Sequence, residues 1–355
     1  DFPQETGPRG PVTVTRLEGE NDALESISKA ADKGAAAVWV RNAVDDAICS
    51  VDALRKRGID VALLHARYAL CDRLRLEGEV LATFGKHRAD RPGRVLVATQ
   101  VVESSLDLDF DLMVADLAPV PALIQRAGRL WRHMGQRPAG GRAFKSPELQ
   151  VLSPDPDVVD DKRWLASVLD RGAWVYPLDV QWRGARALFA AGRIEAPSQL
   201  RALVEAAEHD GVVPPPLQEA ELDRLGTEKA ECTLAKQNLL DFTKPYREAN
   251  GFDSDGEFPT RLGREQRTLI LARFDLSPWS GGDWDVDSCQ LSEVSADARR
   301  LGGLSLPDQS DPALADIKAT WPEWRRATAT LCPVADDGSI CEGLSYNADL
   351  GLLWL

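Results

Sequence analysis

The stretch "VLVATQVVESSLDLDFDLMVADLAPVPALIQRAGRLWRH", residues 95–133, decides the fold. It opens on a short apolar run, passes through a polar segment, and enters a second apolar run at residues 111–117. Continuous apolar runs of this length are typical of strands that are buried on both faces of a parallel sheet. The polar segment therefore follows the carboxyl end of a buried strand, which is where open α/β sheets bind their ligands.

The same alternation covers the whole first part of the chain. Further apolar runs predict strands at residues 12–17, 35–40, 60–65, 94–99 and 148–153. Helical periodicity between them predicts helices at residues 21–33, 44–57, 70–86 and 121–134. Gly34 and Gly58 stand where the first two of these helices should end. Residues 1–153 are therefore predicted to form an α/β domain whose parallel sheet carries helices on both faces.

The composition changes after residue 153. Residues 154–240 are predicted to be a helical linker region, with helical patterns at 164–171, 179–191, 197–209 and 217–240. Residues 241–355 are rich in Gly, Pro, Asp and Trp, with predicted strands at 268–276 and 327–334 and a predicted hairpin or loop at 334–347. This last part is expected to be a small α+β C-terminal domain.

The net charge of -14 is unevenly distributed. Residues 1–150 hold 21 Lys and Arg against 21 Asp and Glu, whereas residues 151–355 hold 21 against 35. The first part is therefore the one expected to meet a polyanion, because local patches matter more than the total charge.

Several classes of protein are not expected from this sequence. No apolar run approaches the length of about 18 residues that a membrane-spanning helix needs, so no membrane association is expected. The first residues have neither the basic nor the apolar region of a signal peptide. The six cysteines contain no C-x-x-C pair and the four histidines lack zinc-finger spacing, so no metal site is expected. Scattered cysteines favour a reduced, cytoplasmic protein.

The arginines of "IQRAGRLWRH", residues 124–133, carry the first chemical signal. On a helix that spans 121–134, Gln125, Arg129 and Arg132 share one face about 60° wide, opposite an aliphatic stripe. Planar guanidinium groups in such an arrangement suit phosphate oxygens. A solvated arginine face explains the same pattern, so the spacing alone leaves both readings open.

Two segments together resemble a known superfamily. "ATQVVESSLD" and "QRAGRLWR" are similar to motifs V and VI of superfamily-2 helicases, which contain RecA-like domains. The wider stretch resembles the CRISPR-associated helicase-nuclease of type I systems, and "LLHARYALCDRLRLEGEVLATFGK" and "LSYNADLGLLW" are similar to further parts of that family. Trp131 and Ser104 depart from the residues that are frequent in the family at those positions.

The resemblance implies a role for each matched residue. Gln125, Arg129 and Arg132 would face ATP, with the two arginines acting on the γ-phosphate. Asp107 and Ser105 would contact the nucleotide sugar and couple it to the arginines.

A second group of matched residues would face DNA. Thr99 and Gln100 would meet the DNA backbone, and Arg67 and Asn42 are candidate phosphate contacts. A surface salt bridge is an equal alternative for Arg67.

Two neighbours of these residues have structural expectations. Arg126 points away from Gln125 and is expected to be structural, paired with an acid. Glu103 is expected to hold the motif V loop.

The motifs that are missing shape the functional expectation. The sequence contains no G-x-x-x-x-G-K-[ST] loop, no D-E-x-[DH] run and no H-D nuclease cluster. ATP and Mg²⁺ are therefore expected to be held mainly by a preceding RecA-like domain, and the chain is interpreted as the C-terminal half of the enzyme. The chain alone is predicted to be inactive.

The resemblance implies a 3′-to-5′ translocase of single-stranded DNA. It would work with N-terminal nuclease and first RecA-like domains after recruitment by the Cascade surveillance complex. The alternatives are the motor half of another superfamily-2 helicase and a non-catalytic binding module derived from a motor.

Overall fold

The structure is a computed structural model of the 355-residue chain. It describes residues 9–87, 93–103, 106–209, 211–237 and 265–354. The chain divides into two compact units, one of Asp1–Gln218 with Asn347–Gly351 and one of Glu219–Tyr346 with Leu352–Leu355. The three-part division at residues 153 and 240 stays a prediction.

A seven-stranded sheet forms the centre of the first unit. Its strands are β1 (Val12–Leu17), β2 (Ala37–Val40), β3 (Val61–Leu64), β4 (Val95–Ala98), β5 (Leu112–Asp116), β6 (Glu148–Leu152) and β7 (Arg193–Ile194). They lie in the order β3-β4-β2-β5-β6-β1-β7. β1 to β6 pair in parallel and β7 joins β1 in antiparallel orientation. The predicted strands and the α/β fold class are confirmed.

Helices pack between these strands as the periodicity predicts. They are α1 (Glu20–Asp32), α2 (Val44–Lys56), α3 (Leu70–Phe84) and α4 (Val120–Ala127). Gly34 and Gly58 follow α1 and α2 with φ of 76° and 79°, in the left-handed region that ends helices. The first three helices are confirmed to within two residues at each end.

The predicted helix at 121–134 is wrong beyond Ala127, where α4 ends. Leu130 instead forms a bridge with Phe110, and the N–H of Trp131 donates to the Phe110 carbonyl at 3.0 Å. These tertiary hydrogen bonds outweigh the helical periodicity of the sequence. Gly128 has a low helix propensity, so it does little to continue the helix. The arginines after residue 127 are therefore placed by a turn and not by one helical face.

The remaining helices of the first part follow the sheet along the chain. They are α5 (Leu178–Ala191), α6 (Leu200–His209) and α7 (Pro215–Gln237). The predicted helix at 164–171 is wrong, because short 3₁₀ turns occur at Leu165–Ser167 and Arg171–Trp174 instead. The N–H of Gly172 donates to Asp46 at 2.7 Å, so docking onto α2 shapes this segment. Residues 238–240 of the predicted helix at 217–240 lie outside the described residues.

The second unit mixes short strands and helices, as the sequence predicts. The strands that follow along the chain are β8 (Gln266–Ala272), β9 (Glu293–Asp297), β10 (Ala329–Pro333), β11 (Ser339–Cys341), β12 (Leu344–Asn347) and β13 (Gly351–Trp354). Its helices are α8 (Val286–Leu291), α9 (Ala298–Leu301), α10 (Pro312–Ala319) and α11 (Glu323–Thr328). Ile270, Leu331 and Trp321 belong to its core. β11 and β12 form the predicted hairpin.

A buried histidine ends β3 in the first unit. The His65 ring stacks on Tyr68 with centroids 4.2 Å apart. Its Nδ1 accepts the N–H of Arg67 at 3.0 Å, and its Nε2 lies 3.0 Å from the Leu350 carbonyl. An imidazole that accepts at one nitrogen and donates at the other is neutral. Burial lowers the pKa of His65 from 6.5 to about 3, so protonation opposes this arrangement.

Acid should therefore destabilise the first unit through His65. The folded pKa lies below the unfolded value, so the stabilisation is present above pH 6.5 and is lost as the pH falls towards 3. We expect the wild-type chain to lose about 2 kcal/mol more unfolding free energy between pH 7 and pH 5 than His65→Gln. Urea unfolding at both pH values measures the difference. Equal losses in the two proteins would contradict a buried neutral histidine.

Candidate functional site

The predicted DNA-contacting residues lie where neighbouring parallel strands end. Asn42 follows β2, Arg67 follows β3, and Thr99 and Gln100 follow β4. The N–H of Thr99 donates to the Leu64 carbonyl at 3.1 Å, which ties the ends of β4 and β3 together. The carboxyl edge of this sheet is therefore a continuous polar surface of the kind that binds ligands in open α/β folds.

Arg126 connects three of these strand ends from inside the protein. Its Nε donates to Glu103 at 2.8 Å, its Nη1 to the Asp116 carbonyl at 3.1 Å, and its Nη2 to the Asn42 side chain at 3.1 Å. The arginine is 0% exposed. The prediction that Arg126 is structural and paired with an acid is confirmed. Glu103 holds the loop after β4 through this ion pair.

Arg129 supports the same loop from the turn after α4. Its Nε donates to the Val102 carbonyl at 3.1 Å and its Nη2 to the Glu103 carbonyl at 2.9 Å. Burial, followed by the positive charge of Arg132, lowers the pKa of Arg129. Arg129 is 6% exposed, so its guanidinium reaches the motif V backbone and leaves little surface for a ligand.

Arg132 differs from Arg129 because it lies at the surface. Its Nε forms an ion pair with Asp107 at 2.8 Å, and these side chains are 42% and 45% exposed. His133 also reaches Asp107, with Nε2 3.0 Å from the carboxylate. Gln125 is exposed on the last turn of α4. The structure thus brings Arg132 and Asp107 together, and Arg129 is near enough for the charge of Arg132 to act on it.

Two aspartates and two arginines form a buried quartet beneath this turn. Arg137 contacts Asp109 at 3.1 Å and Asp111 at 2.8 Å. Arg142 contacts the same two carboxylates at 3.0 and 2.9 Å. All four side chains are at most 6% exposed in these pairs. Two bidentate arginines therefore neutralise two carboxylates that would otherwise be buried and unpaired.

The quartet fixes the position of Arg132. The backbone N–H of Arg132 donates to Asp109 at 2.8 Å, and the Trp131 indole donates to the Asp111 carbonyl at 3.2 Å. The Arg142 guanidinium lies 5.0 Å from the Trp131 ring centroid. Sequence reasoning missed Arg137 and Arg142. The motif ended at residue 132, and nothing in the spacing of "RHMGQRPAGGR" signals burial.

A second buried arginine that the sequence did not single out closes the other side of the edge. Arg41 is 0% exposed and its Nε lies 3.1 Å from Asp116. Its Nη1 donates to Glu20 at 2.7 Å and to Ser50 at 2.8 Å. Asp116 also accepts the N–H of Asn42 at 2.8 Å, so the end of β5 is tied to the end of β2.

Two of the predicted DNA contacts are turned inwards. Asn42 is 4% exposed and its Nδ2 donates to the Leu117 carbonyl at 2.7 Å, while Thr99 is 3% exposed. This placement gives Asn42 a structural contact, and its role towards DNA stays a prediction. Gln100 is half-buried, and its Nε2 donates to the Asn42 carbonyl at 2.9 Å and to the Tyr176 hydroxyl at 3.4 Å.

Arg67 forms the salt bridge that the sequence left as an alternative. Its Nη1 contacts Asp45, with the two side chains 25% and 20% exposed. Arg171 contacts the other oxygen of the same carboxylate. The role of Arg67 towards DNA stays a prediction.

The remaining expectations concern Ser105, metals and membranes. Ser105 lies outside the described residues. Within the described ranges, His, Cys, Asp and Glu side chains form no group of three that could hold a metal ion. No helix in the part of the chain that the structure describes is long and apolar enough to cross a membrane.

Comparison with known proteins places this geometry in one family. Residues 33–135 match the family described as CRISPR-associated nuclease/helicase Cas3, C-terminal. The CRISPR-associated endonuclease/helicase Cas3 of Thermus thermophilus is 40% identical over 250 residues, which cover 70% of this chain and 24% of the relative. The corresponding protein of Escherichia coli K12 is 40% identical over 149 residues, covering 41% and 16%. The chain thus matches no more than a quarter of the length of these relatives.

Solved structures share the fold over nearly the whole chain. The crystal structure of T. fusca Cas3 with ATP has a TM-score of 0.73 over 99% of this chain and 43% of that one, at 23% identity. A chain of a CRISPR RNA-guided surveillance complex in a pre-nicking state has a TM-score of 0.71 over 99% and 45%, at 24% identity. This likeness shows a RecA-like domain followed by a C-terminal domain.

The buried quartet should contribute far more to the free energy of unfolding than a surface ion pair does. Arg142→Met keeps the volume but leaves two buried carboxylates with one arginine, so we expect a loss of about 3–5 kcal/mol of unfolding free energy. Arg94→Met, which removes an exposed pair with Asp60, is the matched control and should cost about 1 kcal/mol or less. Urea unfolding compares them. A loss at Arg142 as small as that at Arg94 would show that the quartet does not hold the turn.

Proposed function

We propose that this chain, which matches the C-terminal half of a Cas3 helicase, supplies the second motor domain of an ATP-dependent translocase of single-stranded DNA. The observation that carries the proposal is the exposed Arg132 beside the buried Arg129, with Asp107 as the carboxylate between solvent and the pair. The positive charge of Arg132 lowers the pKa of Arg129, so an anion bound at Arg132 would relieve the repulsion between the two groups. The phosphates of ATP are such an anion.

Arg132 is the residue whose surroundings fit a phosphate. Its Nε lies 2.8 Å from Asp107, and its Nη atoms donate no hydrogen bond to the described residues. A guanidinium that keeps two outward donors suits bidentate contact with phosphate oxygens. In this proposal the guanidinium of Arg132 meets the γ-phosphate and neutralises the negative charge that develops as phosphoryl transfer proceeds.

Arg129 takes a different part in the same proposal. Its hydrogen bonds to the Val102 and Glu103 carbonyls fix the loop that carries Asp107. We assign it the positioning of this loop and of Arg132, with at most a partial contact to the nucleotide. Gln125, exposed on α4, is proposed to orient the phosphates from the other side.

Asp107 is proposed to change partner during the cycle. It now forms an ion pair with Arg132 and lies 3.0 Å from the His133 Nε2. A nucleotide that engages Arg132 would compete with this carboxylate and release it towards the sugar hydroxyls, together with Ser105. Mg²⁺ would be held by the first RecA-like domain.

The relatives suggest the direction of translocation, the nuclease partner and the recruitment that we propose. They are named nuclease/helicases, and one solved relative belongs to a CRISPR RNA-guided surveillance complex. We propose that the intact protein moves 3′ to 5′ on single-stranded DNA, feeds the strand to its nuclease domain, and is recruited by Cascade in the cytoplasm. A translocase that hydrolyses ATP on DNA but ignores Cascade would be another superfamily-2 motor.

The chain alone should not hydrolyse ATP, because its sequence has no phosphate-binding loop. Steady-state phosphate release by the purified 355-residue chain, with and without single-stranded DNA, tests this. DNA-stimulated turnover well above the background would contradict the assignment of the chain to one half of the site.

In the intact protein that carries this chain, substitutions of Arg132 and Arg129 should have different effects. Arg132→Ala is expected to lower the kcat for ATP hydrolysis by about 10³-fold or more while leaving the melting temperature and DNA binding unchanged. Arg129→Ala should also abolish hydrolysis and spare DNA binding, but with a lower melting temperature because two loop carbonyls lose their donor. Arg201→Ala, an exposed arginine paired with Glu205, is the control. Near-wild-type hydrolysis by Arg132→Ala would refute the proposed role of this residue.

A further inference from the structure

Residues 171–176 form a short segment that is held at both ends along the carboxyl edge of the sheet. At the first end, the N–H groups of Arg171 and Gly172 donate to Asp46 at 3.3 and 2.7 Å. At the other end, the Tyr176 hydroxyl accepts from Gln100 at 3.4 Å. The segment therefore runs from the first turn of α2 to the end of β4 in the first unit.

A buried side chain also holds the backbone of this segment. Gln181 is 0% exposed, and its Nε2 donates to the carbonyls of Ala173 and Tyr176 at 3.4 and 3.0 Å. A Cβ on Gly172 would lie 3.0 Å from an Asp46 oxygen and 3.1 Å from an Asp116 oxygen, so the segment approaches α2 as closely as glycine allows. These contacts make residues 171–176 a rigid mount.

The mount carries a large aromatic side chain in solvent. Trp174 is 53% exposed and the adjacent Val175 is 43% exposed. Leaving an indole in water forgoes the free energy that its burial would contribute. An aromatic surface held out on a fixed backbone at the ligand-binding edge of a sheet is a feature of binding sites.

Positive charge lies beside this indole. Arg67 and Arg171 contact the two oxygens of Asp45, so two guanidinium groups share one carboxylate and leave a charge of about +1. The Arg171 side chain is 56% exposed, and it stands on the same 3₁₀ turn as Trp174. A cationic group next to an exposed aromatic is the combination that binds the phosphate and the base of one nucleotide.

We propose that Trp174 is a base-stacking platform for single-stranded DNA, with Arg171 and Arg67 receiving the adjacent phosphate. The proposal rests on the proposed function for the identity of the strand, and it adds a stacking site outside motifs V and VI. A base stacked here would lie beside Gln100, which links the platform to the loop that leads to Asp107 and the ATP-facing arginines. Duplex DNA fits less well, because its bases are stacked on each other and do not present a free face.

Binding of a short fluorescein-labelled oligothymidine to the full 355-residue chain, followed by fluorescence anisotropy, tests the platform. Trp174→Ala should weaken binding about 5- to 150-fold, the range for loss of one base–aromatic stack. Trp324→Ala is the matched control, because Trp324 is 62% exposed on α11 in the second unit, and it should leave the affinity unchanged. Equal affinities for wild type and Trp174→Ala would overturn the proposal.

An oligonucleotide with abasic sites separates stacking from a general packing effect. The wild-type chain should bind the abasic strand more weakly than the oligothymidine, whereas Trp174→Ala should bind both strands equally. A Trp174→Ala defect that persists in full on the abasic strand would contradict base stacking. Trp174→Phe keeps an aromatic face and should recover part of the affinity.

The salt dependence tests the arginines independently. Arg171→Ala should reduce the slope of log Kd against log salt by about 0.7, the value for one lost phosphate contact on a single strand. Trp174→Ala should leave that slope unchanged, and Arg201→Ala serves as the charge-matched control. An unchanged slope for Arg171→Ala would remove the arginine from the proposed contact.

The outcomes also distinguish this inference from the proposed function. If the wild-type chain does not bind the oligothymidine at all, the role of this half in holding DNA fails together with the platform. If the wild-type chain binds and Trp174→Ala binds equally well, only the platform fails. Equal affinity of the wild type for duplex and single-stranded DNA would likewise contradict stacking while leaving DNA binding intact.

Discussion

The candidate site depends on the hydrogen bonds that the buried guanidinium of Arg126 donates. This guanidinium is 0% exposed. It donates hydrogen bonds to Glu103 in the loop after β4, to the carbonyl of Asp116 at the end of β5, and to the side chain of Asn42 after β2. A buried charge without partners costs several kcal/mol, so these three groups are held at fixed positions relative to α4. The loop that Glu103 anchors also carries Asp107, and Arg129 donates hydrogen bonds to it from the turn after α4. A movement of α4 therefore moves the loop, and with it the turn that presents Arg132.

The site contains more arginine inside the protein than on its surface. Arg41, Arg126, Arg137 and Arg142 are all buried against carboxylates, and they neutralise acids that cluster at the ends of the strands. Most of this charge cancels inside the protein, and two groups of arginines in the described part of the site lie at the surface. One is Arg132 next to Asp107, and the other is the Arg67 and Arg171 pair on Asp45. We propose the nucleotide for the first and a DNA phosphate for the second.

The sheet could be read from the sequence because strand burial is a local pattern. The continuous apolar runs at β2, β4 and β5 leave no alternative to strands buried on both faces. The turn after Ala127 could not be read, because Leu130 and Trp131 are drawn out of the helix by Phe110 and Asp111, which are about twenty residues away in the chain. Local propensity carries no information on such a partner. The same reason hid the docking of Arg171 and Gly172 onto Asp46.

Side-chain roles were predictable only where a motif specified them. Motif VI pointed to Arg129 and Arg132 without distinguishing the buried residue from the exposed one, a difference that arises from the turn and not from the spacing. Arg137 and Arg142 follow the motif and have no periodic signal, yet they determine where Arg132 stands. Asn42 looked like a polar residue at a ligand edge, but Leu117 and Arg126 occupy its amide.

We propose that Arg132 stabilises the transition state of phosphoryl transfer and not the bound nucleotide. The most direct measurement is the ratio of the affinities of the intact protein for ADP with aluminium fluoride and for ADP alone, because the fluoride complex mimics the transferring phosphoryl group. The account predicts that the wild-type protein binds the fluoride complex much more tightly than ADP, and that Arg132→Ala loses this preference while it keeps its affinity for ADP. An Arg132→Ala protein that retains the full preference would contradict the account.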